Sequence, residues 1–424
     1  MTSRPRAAVV LTGSELVRGQ RTDRNGPFLA RELVSLGFEP ARLVIVGDDA
    51  DDLEVALRDG LQADLLVTSG GLGPTHDDRT IELLARVTGR ELVLDEALRA
   101  EIESISRAIS KRFKRPYGDF QPGIVKQATL PVGALSLGLA GTAPGVLLEE
   151  GECIAIALPG PPPELQRLWR SALESEPMRR LLARVPDADE RVIRIYGATE
   201  SAVARVFEDA GGEADGLVAT ICAHDFEIRV DLVADPGAGE RADAVEAALV
   251  EALKPYVFAR DGRPVEEIVL ELCRARGWTV ATAESCTGGL VAARLTSIPG
   301  SSDVVAGGVV SYSNAVKEAE LGVPRALLEE HGAVSAEAAA AMAAGVRERL
   351  GVDVGVAVTG IAGPDGGTPS KPVGMVFLHA SSPDGEKALE LQMPGDRDAI
   401  RSRAAAAALH LTRRLLTQSR DSST

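Results

Sequence analysis

Short apolar runs that alternate with helix-like segments constrain the fold of this 424-residue chain more than any other feature. The first run, Ala7–Leu11, is followed by a helical pattern over Asn25–Leu36 and then by two more runs, Arg42–Val46 and Asp64–Thr68. Strands that alternate with helices form parallel sheets with helices on both faces. Ligands of such sheets collect at the carboxyl ends of the strands. The pattern therefore predicts an α/β fold whose sites lie in the turns that follow strands.

A glycine-rich turn, 69–78, follows the third run and precedes a predicted helix over Thr80–Val87. Glycines let backbone N–H groups approach an anion, and the start of a helix adds a favourable dipole. Two adjacent carboxylates, Asp77 and Asp78, would repel a bare phosphate, so we expect them to act with a divalent cation. The alternative is that Asp77 and Asp78 cap the helix, and this alternative would be preferred if these two residues were considered without the rest of the turn.

A second turn, 283–289, lies between the apolar run Trp278–Ala283 and a helical segment that begins at Leu290. Ser285 in this turn is expected to lie beside free backbone N–H groups and the positive end of a helix dipole, which could stabilise an oxyanion. Ser285 is therefore a candidate nucleophile. Taken alone, the turn also fits a plain helix cap followed by glycines that allow close packing.

Downstream motifs favour the nucleophile over the plain cap. Lys317 follows the stretch 307–314, which contains Tyr312, and a partly desolvated lysine can be neutral and accept the proton of a serine. The glycine-rich turn 359–367 suits a phosphate-bearing substrate. Cys286 is the alternative nucleophile, because a thiol near a helix start is reactive, but no histidine lies in the nearby motifs to deprotonate it.

These motifs resemble the C-terminal domain of the CinA family over Arg263–Leu416. That domain, also found alone as the PncC type, is a nicotinamide-mononucleotide deamidase. The resemblance implies that Ser285 is the nucleophile, that Lys317 and Tyr312 handle protons, that Thr359 lies at the same site, and that no cofactor is needed. The residues expected to bind the substrate are Thr287, Gly288, Gly289, Gly308, Asn314, Gly360, Gly363, Arg397 and Arg401.

The turn that contains Asp77 and Asp78 resembles the molybdopterin-binding-like domain shared by molybdenum-cofactor proteins and CinA, over Arg6 to about Arg170. The phrase Gly-Thr-Ala-Pro-Gly at 141–145 is similar to the CinA branch, in which this domain is a metal-dependent ADP-ribose pyrophosphatase. The resemblance implies that a divalent cation such as Mg²⁺ or Mn²⁺ is held by Asp77, Asp78 and Glu15. The residues expected to contact the nucleotide are Gly13, Asn25, Gly70, Gly71 and Gly73.

The pattern as a whole predicts three domains. Residues 1–173 form the parallel-sheet, molybdopterin-binding-like domain, residues 190–260 a small α+β middle domain, and residues 261–417 the α/β deamidase domain. The middle domain is predicted from a β-α-β-β-α order. The stretch 174–189, rich in proline and charge, is predicted to be a linker.

The net charge and the cysteine content restrict the classes of function that we expect for this chain. The formal net charge is −16, with 62 acidic against 46 basic residues, so a groove for nucleic acid is not expected. The four cysteines have neither the spacing of a zinc site nor that of a disulfide framework, and this is typical of a protein in the reducing cytoplasm. No signal peptide or membrane-spanning stretch is visible in the sequence. We expect a homodimeric enzyme of pyridine-nucleotide recycling that acts on nicotinamide mononucleotide and ADP-ribose. Two alternatives remain: a non-catalytic adaptor in DNA uptake or damage response, and an N-terminal domain that handles molybdopterin.

Overall fold

The computed structural model of the chain describes residues 4–114, 116–186 and 189–418, apart from the side chains of Asp119 and Gln418. The chain divides into two compact units, Met1–Ala188 and Asp189–Thr424. Both units contain helices and sheets with parallel strands, so the predicted α/β class is confirmed. Within the described ranges, no helix is long and apolar enough to cross a membrane.

The first unit is built around one large sheet. The strands of this unit are β1 (Arg6–Thr12), β2 (Glu39–Val46), β3 (Leu65–Ser69), β4 (Leu92–Leu94), β5 (Thr129–Pro131), β6 (Leu135–Leu139), β7 (Pro144–Glu150) and β8 (Cys153–Leu158). The helices are α1 (Ser14–Val17), α2 (Asn25–Ser35), α3 (Ala50–Gly60), α4 (Thr80–Val87), α5 (Glu96–Phe113), α6 (Gln121–Gln127), α7 (Pro162–Leu173) and α8 (Glu176–Leu182). Six strands form the sheet in the order β2-β1-β3-β8-β7-β6, and β4 pairs with β5 separately. The neighbours β2, β1, β3 and β8 are parallel, whereas β7 and β6 are antiparallel.

Helices cover both faces of this sheet, because alternate residues of its central strands point to opposite sides. Val9 and Leu11 of β1 pack in the cluster that contains α2 and α7, whereas Val10 packs in the cluster that contains α3 and α4. Burial on both faces explains why β3 is apolar over most of its length. The carboxyl ends of β1, β3 and β8 therefore lie side by side at one edge.

The predicted linker 174–189 is wrong over Glu176–Leu182, and its residues 187 and 188 lie outside the described residues. Helix α8 occupies its centre, and Ser175 caps that helix by accepting from the N–H of Met178. Met178 and Leu181 are buried in the core of the first unit. The charged residues that suggested a linker lie on the outer face of this helix, so composition alone concealed its apolar stripe.

The second unit contains two sheets. Its strands are β9 (Asp189–Tyr196), β10 (Leu217–His224), β11 (Glu227–Ala234), β12 (Val257–Ala259), β13 (Val280–Glu284), β14 (Val305–Val310), β15 (Val354–Gly360), β16 (Met375–Ser382) and β17 (Gly385–Gln392). Its helices are α9 (Glu200–Asp209), α10 (Gly239–Ala252), α11 (Val265–Arg274), α12 (Leu290–Thr296), α13 (Asn314–Leu321), α14 (Arg325–His331), α15 (Ala336–Leu350) and α16 (Arg397–Gln418). The first sheet is antiparallel with the order β10-β11-β9-β12, and the sequence order of its elements agrees with the β-α-β-β-α prediction.

The five-stranded sheet of this unit has the order β14-β13-β15-β16-β17. Strands β14, β13 and β15 are parallel, and β16 and β17 continue the sheet in antiparallel fashion. Helices α11 and α16 cover one face, and α15 covers the other. The carboxyl ends of the three parallel strands lead into the turns at 285–289, 311–313 and 361–374, so these turns meet at one edge of the sheet.

Candidate functional site

The turn after β13 holds Ser285 at the edge of the five-stranded sheet. Its backbone N–H donates to the carbonyl of Val358 on β15 at 2.9 Å, which continues the parallel pairing by one residue. The side chain is only 9% exposed. Gly288 and Gly289 have φ angles of +62° and +100°, a region that other residues rarely adopt, so this tight turn requires glycine.

Lys317 approaches Ser285 from the first turn of α13. Ser313 caps that helix by accepting from the N–H of Val316, which directs the lysine inward. The lysine is 1% exposed, and its Nζ donates to the Ser285 hydroxyl at 3.0 Å and to the Ser311 carbonyl at 2.6 Å. Burial lowers the pKa of Lys317, because a charged ammonium is poorly solvated there. The structure therefore pairs a serine hydroxyl with an amine that loses its proton more readily than an ordinary lysine.

Glu284, the last residue of β13, occupies the start of α12. Its carboxylate accepts from the N–H groups of Gly289, Val291 and Ala292 at 2.9, 3.1 and 2.9 Å, and its side chain is almost completely buried. Gly289, not Ser285, is the N-cap residue of this helix. The alternative in which Ser285 is a plain cap is therefore wrong. Glu284 also binds three N–H groups at the start of the helix, so these three are not available to an oxyanion.

The backbone N–H groups of Cys286 and Thr287 are the remaining donors of the turn. Among the described hydrogen bonds, neither donates to an oxygen atom. They lie near the Cys286 sulfur and act to lower the pKa of its thiol, but burial dominates and raises that pKa to about 12. The thiol is therefore protonated at neutral pH, which disfavours Cys286 as the nucleophile.

Among the described residues, the side chains of the two other predicted catalytic residues hydrogen-bond to partners other than Ser285 and Lys317. Tyr312 is 60% exposed, and its hydroxyl accepts from Nη2 of Arg397 at 2.8 Å. In the part of the chain that the structure describes, Tyr312 makes no hydrogen bond to Ser285 or Lys317. Thr359, at the end of β15, is fully buried and donates to the Ala333 carbonyl at 2.7 Å. In this arrangement Thr359 anchors a neighbouring loop.

The two predicted arginines lie on the first two turns of α16 and bind different loops. Arg397 donates to the Gly363 carbonyl at 2.6 Å as well as to Tyr312, and thereby links the 361–374 turn to the turn after β14. Arg401 donates from Nε to the Cys286 carbonyl at 3.2 Å and from Nη2 to the Thr287 carbonyl at 3.1 Å.

Packing accounts for two of the predicted substrate-binding glycines. A Cβ on Gly308 would lie 2.3 Å from the Thr282 hydroxyl of the paired strand, and one on Gly360 would lie 2.8 Å from the Met375 carbonyl. Asn314 is the exposed first residue of α13.

Sequence reasoning missed two members of this site, Glu284 and Ser311. The hydroxyl of Ser311 is buried and, among the described residues, has no hydrogen-bond partner, while its carbonyl binds Lys317. An acidic residue that ends a buried strand directly before a helix was an available signal for Glu284.

In the first unit, the predicted cation-binding residues line one cavity of about 370 Å³ at the carboxyl ends of β1, β3 and β8. The described residues that line this acidic cavity include five carboxylates, and His76 lies beside one of them, with its Nδ1 3.6 Å from Oδ1 of Asp77. Burial raises the pKa of Glu164, one of the two acids that sequence reasoning did not include. The five acids are Glu15, Asp48, Asp77, Asp78 and Glu164.

The predicted helix cap at Asp77 and Asp78 is wrong. Arg79 is the N-cap residue of α4, and no side chain caps that helix. Asp78 instead accepts from the backbone N–H of Thr75 at 2.9 Å and from its hydroxyl at 2.5 Å.

The glycines of the 69–78 turn pack closely against protein atoms. A Cβ on Gly70 would lie 2.5 Å from the Thr12 carbonyl, and one on Gly71 would lie 2.2 Å from the Thr80 hydroxyl. Gly73 faces the Asp78 carboxylate, and Gly13 faces that of Glu15. Close packing therefore accounts for glycine at positions 70 and 71.

Asn25 lines a second cavity of about 530 Å³, which shares four lining residues with the acidic cavity. Its Nδ2 donates to the Ser69 hydroxyl at 2.9 Å and to the Gly160 carbonyl at 2.7 Å. Its Oδ1 is buried and, among the described residues, has no partner. This oxygen is an acceptor that the described residues leave unused.

Within the described residues, no three His, Cys, Asp or Glu side chains gather closely enough to hold a metal ion by themselves. Mg²⁺ is commonly held by one or two carboxylates, with waters and substrate phosphates completing its shell. The oxygen donors of the acidic cavity fit a cation of this kind.

Two family models match this chain. The model described as "CinA C-terminal domain" matches residues 262–416, and the model described as "Probable molybdopterin binding domain" matches residues 8–178. A protein named "CinA-like protein" from Mycolicibacterium vanbaalenii is 43% identical over 421 residues, which is 97% of this chain and 99% of the relative. A protein of the same name from Mycobacterium marinum is 43% identical over 427 residues, with the same coverage of 97% and 99%. Among solved structures, the "competence/damage inducible protein CihA" from Agrobacterium tumefaciens is 42% identical and covers 36% of this chain and 96% of its own, with a TM-score of 0.35.

Proposed function

The chain belongs to the CinA family, and on that basis we propose that region 262–416 hydrolyses the carboxamide of nicotinamide mononucleotide to nicotinate mononucleotide and ammonia. The observation that supports the chemistry is the 3.0 Å contact between the buried amine of Lys317 and the hydroxyl of Ser285. The substrate is the one implied by the family resemblance.

In the first half of the proposed reaction, neutral Lys317 accepts the Ser285 proton as the serine oxygen attacks the carboxamide carbon. The contact to the Ser311 carbonyl fixes the amine, so that its lone pair faces the hydroxyl. A tetrahedral intermediate forms, and its oxyanion accepts hydrogen bonds from the N–H groups of Cys286 and Thr287. These are the donors of the turn that Glu284 does not bind.

In the second half, the protonated Lys317 gives its proton to the leaving nitrogen, which departs as ammonia and leaves an ester on Ser285. Water then attacks this ester, with Lys317 accepting its proton. Collapse of the second intermediate releases the carboxylic acid, which loses its proton to solvent, while Lys317 returns its proton to Ser285. Lys317 thus carries the proton of Ser285 to ammonia and a proton of water back to Ser285, and the proposed scheme uses no metal or cofactor.

Ammonia release by the purified full-length chain tests the proposal. Wild type should form nicotinate mononucleotide and ammonia in equal amounts, and Ser285→Ala should lower kcat by several orders of magnitude. Ser297→Ala is a matched control, because this exposed hydroxyl bonds only to the Arg294 carbonyl of its own helix. Absence of turnover in the wild type would favour the rival adaptor function, whereas normal turnover in Ser285→Ala would exclude this nucleophile.

We propose as a second activity that the first unit cleaves the diphosphate of ADP-ribose with a divalent cation. The supporting observation is the acidic cavity, because its five carboxylates would repel a diphosphate that entered without cations. Asp77 or Asp78 is proposed to hold the cation, with Glu15 as the weaker candidate, and the cation would polarise the phosphoryl oxygens when bound. Asn25 would accept a hydrogen bond from the nucleotide through its unpartnered Oδ1.

Cleavage of ADP-ribose in the presence and absence of Mn²⁺ tests this second activity. Loss of metal-dependent cleavage in the Asp77→Asn, Asp78→Asn double variant would support it. Tight binding of molybdopterin without ADP-ribose cleavage would instead favour the molybdopterin-handling alternative.

A further inference from the structure

Arg401 contacts the nucleophile turn rather than open solvent. Its Nε and Nη2 donate to two successive carbonyls, those of Cys286 and Thr287. The side chain is 28% exposed, and its ion pair with Asp398 is long, at 3.5 Å. Gly288 leaves room for the guanidinium, since a Cβ there would lie 3.3 Å from Nη2. The turn therefore offers the guanidinium of Arg401 two carbonyl acceptors and, at Gly288, the space that it occupies.

The contact to the Cys286 carbonyl fixes the direction of the Thr287 N–H group. A peptide unit is planar, and in its ordinary trans form the carbonyl and the following N–H point in opposite directions. When Arg401 binds the Cys286 carbonyl, the Thr287 N–H must point away from the arginine. The carbonyl contact also polarises the peptide unit, which strengthens that N–H as a donor.

Glu284 restrains the turn from its other end. It binds the N–H groups of Gly289, Val291 and Ala292, so it removes them as donors to a substrate. The carbonyls of Cys286 and Thr287 are bound by Arg401. Among the described residues, the N–H groups of Cys286 and Thr287 donate to no oxygen atom, and both lie near the Cys286 thiol, which is a weak acceptor. Glu284 therefore leaves the N–H groups of Cys286 and Thr287 as the donors of this turn that a substrate could use, and Arg401 holds the turn from the other side.

We infer that Arg401 is a positioning residue that orients the Thr287 N–H group for the oxyanion, and is not a ligand of the substrate phosphate. The inference rests on the proposed amide hydrolysis by Ser285. This role differs from that of Arg397, which is exposed and binds Tyr312 and the Gly363 carbonyl.

Turnover and affinity measured on the full chain separate positioning from phosphate binding. Arg401→Gln should lower kcat for nicotinamide mononucleotide by about 100-fold, the loss that a displacement of roughly 1 Å produces. Its Kd for nicotinate mononucleotide, measured by calorimetry, should stay within about threefold of wild type, because no phosphate contact is lost. Arg401→Lys should give an intermediate kcat, since an ammonium can reach one carbonyl but cannot bind both in the same way.

Asp398→Asn is the matched control, because it removes only the exposed ion pair of Arg401 and should leave kcat unchanged. Thermal melting of both Arg401 variants establishes that the fold is retained. A Kd weakened tenfold or more in Arg401→Gln or Arg401→Lys would overturn the inference, and so would an unchanged kcat. Failure of the wild type to release ammonia would instead refute the proposed function itself.

Discussion

Replacement of Lys317 by methionine should abolish turnover while it stabilises the fold. Methionine keeps the length and apolar stem of the buried side chain but removes the amine that contacts Ser285 and the Ser311 carbonyl. Loss of a general base lowers rates by about 10²–10⁴-fold, and more where base and nucleophile act as one unit. We therefore expect kcat for ammonia release to fall by at least about 10³-fold.

The stability effect should depend on pH in a defined direction. Burial lowers the pKa of Lys317 from 10.5, so the unfolded chain binds a proton that the folded chain has released. The folded state is therefore penalised at pH values below the folded pKa. This penalty shrinks as pH rises from the folded pKa to 10.5 and is absent above it. Its size is about 1.4 kcal/mol for each unit by which the pKa is lowered.

Denaturant unfolding of wild type and Lys317→Met at a series of pH values measures this effect. The free energy of unfolding of the wild type should rise relative to that of the variant as pH increases toward 10.5. In the wild type, kcat should also rise with pH, because the neutral amine is the active form. A difference in stability that does not change with pH, or a variant that keeps more than a tenth of wild-type kcat, would refute the assignment of Lys317 as a desolvated base.

Three further predictions concern other residues of the two sites. Cys286→Ala should keep kcat within about fivefold, because its thiol, with a pKa of about 12, is protonated and is not the nucleophile; a loss comparable to that of Ser285→Ala would contradict this. Glu284→Ala should lower the free energy of unfolding by roughly 3 kcal/mol and kcat by at least tenfold, since three N–H groups lose their acceptor; chemical denaturation checks the first effect, and an unchanged midpoint would exclude it. The Asp77→Asn, Asp78→Asn double variant should lose Mn²⁺ binding by calorimetry but keep ammonia release within about twofold, and a parallel loss of ammonia release would mean that the two activities are coupled.

Local patterns of the chain were sufficient to predict its fold class. Apolar runs such as Asp64–Thr68 are buried on both faces in a parallel sheet, which is why their apolar character is continuous and easy to recognise. The helix α8 was missed because its proline and charged residues resemble a linker, and only its packing against Trp169 and its neighbours shows the buried side. Composition alone cannot distinguish a linker from an amphipathic helix whose apolar stripe is only a few residues long.

The candidate site was predictable in part, because its nucleophile lies in a recognisable turn. Ser285 and Lys317 are 32 residues apart in the chain, and the family resemblance suggested their pairing before the structure placed them 3.0 Å apart. The contacts of Arg401 to the turn join residues more than 110 positions apart, and no local pattern encodes them. The resemblance predicts that Tyr312 handles protons. No pattern in the sequence indicates that the Tyr312 hydroxyl accepts a hydrogen bond from Arg397.

Hydroxylamine trapping tests most directly the claim that Ser285 forms an ester with the substrate. Hydroxylamine competes with water for an acyl-enzyme and converts it to a hydroxamate, with release of the free serine. If formation of the ester limits the rate, wild type should release ammonia at an unchanged rate while hydroxylamine diverts product from nicotinate mononucleotide to its hydroxamate. Ammonia release without any hydroxamate, at hydroxylamine concentrations that trap simple esters, would mean that water attacks the amide directly and would contradict the role of Ser285 as nucleophile.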